Sequence, residues 1–247
     1  MSLIIDYGIK AWKKAEEVGG SNWDTVHNKL SNPEDLSAGT GRGVSFSSDD
    51  TYLAVAHGTT PFLTVYKRSG DTFTKLSNPV DLPTGNGYSV SFSSDDTYLA
   101  VGHVTTPFLT VYKRFGDTFN KLTGIAAPTG DGTGVSFSSD GNYLAVAHTT
   151  TPYLTVYKRS GDTFNKLTGI AAPADYSNGV SFSSDDTYLA VAHYTTPFIT
   201  IYKTTLINPT TLISPALNTI PLGYHDLGYA LESGVEDDEI DMVSIFR

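Results

Sequence analysis

The sequence predicts an all-β protein in which one four-stranded unit is built four times. Three observations carry that prediction. The stretch from Val44 to His57, Val-Ser-Phe-Ser-Ser-Asp-Asp-Thr-Tyr-Leu-Ala-Val-Ala-His, returns from Val90, Val135 and Val180 with small substitutions. The spacings are 46, 45 and 45 residues, a period that belongs to stacked supersecondary units. Within each copy apolar and polar residues alternate, and nothing recurs at the three- and four-residue spacing of a helix.

The third copy shows each element in order. Gly134-Val-Ser-Phe-Ser138 alternates and reads as a first strand. Asp140-Gly141 is a tight-turn dipeptide, replaced by Asp49-Asp50, Asp95-Asp96 and Asp185-Asp186 in the other copies. Tyr143-Leu-Ala-Val-Ala147 is mostly apolar, as a strand covered on both faces should be. Thr150-Thr151-Pro152 ends it, because proline donates nothing to a ladder. Leu154-Thr-Val-Tyr157 alternates again, Ser160-Gly161-Asp162 turns, and Thr163-Phe-Asn-Lys-Leu167 is a more polar outer strand. A Gly/Pro/Ala-rich loop from Thr168 to Asn178 leads to the next copy. Four short antiparallel strands in about 45 residues make a β-propeller blade.

The blades resemble those of the WD40 family. The residues that carry the resemblance are Phe-Ser-Ser-Asp-Asp/Gly, Tyr-Leu-Ala-Val and the terminal Val-Tyr-Lys. Tyr66-Lys67, Tyr112-Lys113, Tyr157-Lys158 and Tyr202-Lys203 stand where that family ends in Trp-Asp, and its Gly-His dipeptide is missing. The fourth copy stops at Lys203 without an outer strand. At the other end, Trp23-Asp-Thr-Val-His-Asn-Lys-Leu30 looks like that strand without its first three, and runs into Ser31-Asn32-Pro33 as Leu76 runs into Ser77-Asn78-Pro79. The WD40 resemblance implies that this segment completes the last blade and closes a four-bladed ring, with no edge left open. An eight-bladed ring made by two chains is the alternative.

Three segments follow. Residues 1–22 form an N-terminal anchor, with a short helix expected over Ile9–Glu17 ended by Gly19-Gly20. Residues 23–203 are the propeller. Residues 204–247 begin as a Thr/Pro-rich linker and end in a β-hairpin, Leu227–Leu231 and Ile240–Phe246 around the acidic turn Val235–Glu239. An isolated hairpin is marginal, so it should pair with other β-structure. Its Gly-Tyr-Ala-Leu-Glu and Val-Ser-Ile-Phe strands resemble C-terminal strands of bacteriophage virion proteins, as do tandem near-identical blades in a small chain.

The composition narrows the function. The net charge is −10, and residues 204–247 hold 7 acids and 1 base. Without a basic stripe the chain is a poor match for nucleic acid. It has no cysteine, so no disulfide or thiolate metal site is expected. The sequence shows no signal-peptide pattern and no apolar run of roughly 18 residues. A cytoplasmic or virion location is expected.

Two sets of residues stand out. His57, His103, His148 and His193 share one position at the end of the second strand. They would line a mouth of the ring, but fourfold recurrence inside a folding unit favours a structural role, with no metal and no cofactor. The Ser-Ser-Asp-Asp stretches read as turns, since a calcium loop needs several oxygens at fixed offsets. Ser, His and Asp recur together, yet no Gly-x-Ser-x-Gly elbow is present. The second set is where the copies disagree. Arg42, Tyr88, Thr133 and Asn178 precede the first strand, and Gly58, Val104, Thr149 and Tyr194 follow the histidine. The loops before the first strand differ too, with Asp131 in one and Asp175-Tyr176 in another. In rings of the WD40 type these positions share one face. Arg42, Tyr88, Tyr176 and Tyr194 are therefore the candidate binding residues, Tyr and Arg being favoured anchors.

The expectation is a non-enzymatic binding or assembly module that meets other protein subunits, as a homo-oligomer or in a virion, and takes a host-surface glycan or protein as ligand. A cytoplasmic interaction scaffold is the alternative. A propeller lyase or glycosidase ranks below both, because paired catalytic carboxylates are not evident among turn acids.

Overall fold

The structure is a computed structural model that describes residues 29–204 and the backbone of strands Tyr229–Ser233 and Ile240–Ser244. The chain divides into two compact units, Met1–Tyr202 and Lys203–Arg247.

The first unit consists of consecutive meanders. Strands β1 (Gly41–Phe46), β2 (Tyr52–His57), β3 (Leu63–Ser69) and β4 (Thr72–Lys75) form one sheet in that order. β5 (Gly87–Phe92), β6 (Tyr98–His103), β7 (Leu109–Phe115) and β8 (Thr118–Lys121) repeat it, as do β9 (Gly132–Phe137), β10 (Tyr143–His148), β11 (Leu154–Ser160) and β12 (Thr163–Lys166). The last blade has β13 (Ser177–Phe182), β14 (Tyr188–His193) and β15 (Ile199–Lys203). Neighbouring strands run antiparallel, with equivalent registers such as Ala54↔Val65 and Ala100↔Val111.

Local chemistry explains the turns. Ser47 Oγ donates to Asp49 Oδ1 at 2.7 Å and accepts from Tyr52 N–H at 2.8 Å, so one hydroxyl knits the turn between the first two strands. Asp50, Asp96 and Asp186 sit there at φ near +55°, a left-handed conformation that aspartate tolerates, and Gly141 takes that place in the third blade. The Thr-Thr-Pro segments are tight turns, closed by Phe62 N–H to Thr59 O at 2.8 Å and its copies. The Thr–Pro bonds there are cis.

Packing runs from blade to blade. The face of the first blade that carries Tyr52, Ala54, Ala56, Leu63 and Val65 buries itself against Val90, Phe92, Leu99 and Tyr112 of the second. Tyr98, Ala100, Leu109 and Val111 do the same against Val135, Phe137, Leu144 and Tyr157. Ala145, Leu154 and Val156 meet Leu189 and Val191. Polar hooks reinforce these seams. Asp96 takes Ser48 N–H at 2.6 Å, Ser48 Oγ at 2.9 Å and Asp49 N–H at 3.1 Å from the blade before it. Asp186 repeats the two backbone contacts on Ser139 and Asp140. Tyr52 Oη donates to Asp117 Oδ1 at 2.6 Å, and Tyr98 to Asp162 at 2.5 Å. Gly87 is required by close approach, since a Cβ there would stand 2.5 Å from Phe62 O.

The described residues do not show the expected ring closed within one chain. Val44 and Phe46 are 69% and 50% exposed, whereas their copies Val90 and Phe92 are buried. Ile201, the copy of the buried Val65, is 62% exposed. Exposed apolar side chains thus mark both ends of the described stack, Val44 and Phe46 at one and Ile199 and Ile201 at the other, and among the described residues the last sheet has three strands. The segment assigned to closure, Trp23–Leu30, lies outside the described residues except for Lys29 and Leu30, which are not in a strand. The helix expected over Ile9–Glu17 also lies outside them, and no helix occurs among the described residues. In the second unit, β16 (Tyr229–Ser233) and β17 (Ile240–Ser244) pair antiparallel, Leu231 opposite Met242.

Candidate binding rim

The divergent positions sit on a built feature. In each blade the first strand carries a β-bulge against the second: Gly41 pairs with His57, Gly43 with Ala56, and Arg42 lies between. Tyr88 occupies the same bulge in the second blade, Thr133 in the third and Asn178 in the fourth. A bulge re-aims a side chain out of the ladder. The loop leaving the second strand is tied to the segment before the first by Gly58 N–H to Thr40 O at 3.0 Å, and by Tyr194 N–H to Tyr176 O at 3.3 Å. Both variable positions of a blade therefore stand at one end of its sheet.

The four candidate residues meet in two pairs. The Arg42 guanidinium lies 4.1 Å from the centre of the Tyr88 ring, a cation–π contact between neighbouring blades. Tyr176 and Tyr194 stack at 4.5 Å with planes 25° apart. The Tyr176 hydroxyl is pushed above the usual tyrosine range, chiefly by its hydrogen bond with the Tyr194 phenol, with Tyr88 and Asp131 adding smaller electrostatic effects. Asp131 stands at the same end of the third blade, where Thr149 N–H reaches its carbonyl at 3.3 Å. Tyr194 stays 55% exposed. Thr133, between the two pairs in blade order, is turned to structure: its hydroxyl lies 3.0 Å from Ala147 O and 2.5 Å from Ser177 O. The rim offers aromatic faces, one guanidinium and the Asp131 carboxylate.

The histidines lie inside the blades. His57, His103 and His148 are fully buried, and His193 nearly so. Each Nε2 stands 3.0–3.1 Å from the hydroxyl of a threonine on the third strand: Thr64, Thr110, Thr155 and Thr200. That partner lies across the strand pair. Burial pulls His103 and His148 down to about 4, and His57 in the same direction. Among the described residues no three His, Asp or Glu side chains converge as a metal site would require, and no helix is long and apolar enough to cross a membrane.

Sequence reading reached the paired rim residues but not the bulge. Its signal was present as the Gly-x-Gly, Gly-x-Ser and Ser-x-Gly frames around Arg42, Tyr88, Thr133 and Asn178. The Asp96 hook was missed because a turn acid looks alike whether it faces solvent or the next blade.

No known protein family and no curated protein matches the chain by sequence. Solved structures do resemble its fold. A putative 6-phosphogluconolactonase from Bacteroides uniformis aligns with a TM-score of 0.59 at 14% identity, over 74% of this chain and 56% of the other. The β-propeller domain of Cps50 (Swd1) from Myceliophteria thermophila gives 0.53 at 13%, over 67% and 54%. A functionally unknown protein from Desulfotomaculum acetoxidans gives 0.57 at 13%, over 69% and 54%. The chain spans a little over half the length of these structures. At such identities the likeness defines a class of fold only: an all-β, propeller-like stack of four-stranded blades.

Proposed function

We propose that this protein is a non-enzymatic recognition module whose binding surface is the rim built by Arg42, Tyr88, Tyr176 and Tyr194. One observation carries the reading: the positions where near-identical blades diverge hold side chains that pair with each other. Ordinary drift in exposed loops has no reason to pair arginine with tyrosine and tyrosine with tyrosine. Pairing also fixes the rotamers, so less side-chain freedom is lost on binding. Tyrosine faces stack on the apolar face of a sugar ring, and the Arg42 guanidinium and the Asp131 carboxylate each suit hydroxyls or a protein loop. A glycan or protein on a host surface is the ligand class, and a virus particle or a cytoplasmic scaffold is the setting.

The test is the combined substitution of Arg42, Tyr88, Tyr176 and Tyr194 by alanine, measured on an array of purified glycans. Each anchor contributes roughly 1–2 kcal/mol. Binding by the parent that disappears in the variant, with the melting temperature kept, supports the reading. Equal binding by the variant sinks it. The likeness to a lactonase gives the second arm: turnover of a phosphosugar lactone by the parent would overturn the non-enzymatic reading.

A further inference from the structure

We infer that the two uncovered end faces of the blade stack mate head to tail with a second copy of this chain, closing a ring of eight blades. The repeat itself supplies the complementarity. Every internal seam joins the same two surfaces. One is the Tyr-Ala-Ala face of the second strand with its third-strand neighbours, as Tyr52, Ala54, Ala56, Leu63 and Val65. The other is the Val-x-Phe face of the next blade, as Val90 and Phe92. The first blade presents an unused copy of the second surface, Val44 and Phe46, 69% and 50% exposed. The last blade presents a copy of the first surface whose third-strand residues Ile199 and Ile201 are 48% and 62% exposed. An apolar surface that is packed at three seams and leaves Val44, Phe46, Ile199 and Ile201 exposed at the ends is incomplete without a partner.

The polar hooks point the same way. Asp50 is the first-blade copy of Asp96 and Asp186, whose carboxylates hold backbone N–H groups of the preceding blade. Asp50 is exposed, and so are Ser184 and Asp185, the last-blade copies of the groups those carboxylates hold. Placed head to tail, Asp50 of one copy meets Ser184 and Asp185 of the other. The geometry selects two copies. The described blades do not bring their own ends together, and they match about half of a complete propeller domain. Two such stacks related by a twofold axis give two identical junctions and leave no end face exposed, which is the closed solution for a heterologous interface.

The experiment is the solution mass of the full chain by light scattering on a sizing column. The parent should run at about twice the 26.5 kDa of one chain. Val44→Lys and Ile201→Glu, each made alone, should give single chains, since either change spoils both junctions. Both positions are exposed in the single chain, so neither change threatens the fold; an unchanged circular dichroism melt confirms it. Mixing the two variants should restore the paired mass, because one junction is then native and the other sets the introduced lysine of one chain against the introduced glutamate of its partner. A parent of 26.5 kDa overturns the inference, whether the ends are covered by the chain's own terminal segments or left bare. So do a ladder of larger multiples, or single variants that keep the paired mass. Glycan binding does not enter this readout, so failure here leaves the rim untouched.

Discussion

Replacing Asp96 by glycine tests whether the seams between blades are held by turn acids as well as by apolar packing. Asp96 is 5% exposed and accepts three hydrogen bonds, at 2.6, 2.9 and 3.1 Å, from Ser48 and Asp49 of the blade before it. Hydrogen bonds to a charged acceptor contribute roughly 1.5–3 kcal/mol each when their donors stay dry. Ser48 and Asp49 are exposed, so water replaces part of the loss, and about 2–3 kcal/mol remains. Glycine is the right substitute because the residue sits at φ +54°, and the third blade already uses Gly141 there. Alanine would add left-handed strain of about 1–2 kcal/mol and confuse the two causes. The Arg114 Nε–H bond to the Asp96 carbonyl at 2.8 Å survives in the glycine variant. At about 2–4 °C per kcal/mol for a unit of this size, the melting temperature should fall by roughly 5–10 °C. Chemical denaturation followed by tyrosine fluorescence and circular dichroism gives the free energy directly. A variant within about 0.5 kcal/mol of the parent, the ordinary range for surface changes, refutes the hook.

The complementary gain is Gly141→Asp, which installs the hook missing between the second and third blades. Its Cβ would meet Ser94 Oγ at 3.1 Å, a hydroxyl that can rotate away, so a rise of about 2–4 °C is expected in a thermal melt. Acid should weaken the fold through the histidines. His103 and His148 are held down to about 4, while unfolded histidine titrates near 6.5. Between those values the unfolded chain binds protons that the folded chain refuses. Stability therefore falls as pH drops from about 6.5 to about 4, at roughly 1.4 kcal/mol per pH unit for each histidine. Denaturation curves at a series of pH values should show that slope, and His103→Gln should flatten it; an unchanged slope would mean other groups carry the acid response. The quadruple rim variant and the mass of the full chain complete the set, with the outcomes given above.

Much of this molecule is legible in its sequence. The turn at Asp140-Gly141, the break at Pro152 and the alternation through Leu154–Tyr157 set the strands to within a residue or two, because each depends on local backbone chemistry. The C-terminal hairpin was legible for the same reason. The divergent residues were found by comparing the copies with one another. What they touch was not, since a cation–π contact from Arg42 to Tyr88 spans two blades and depends on the bulge that turns both side chains to one end.

By itself, then, the sequence determined the period, the four strands of a blade and which surfaces are apolar, since these follow from alternation and turn chemistry inside about 45 residues. Only the tertiary structure decided the long-range relations. It joined Asp96 to Ser48, paired each buried histidine with a threonine on the next strand, and left Val44 and Ile201 exposed at opposite ends of the stack. Closure depends on the angle between successive blades. That angle is fixed by side-chain packing at the seams, and no residue pattern within one blade encodes it.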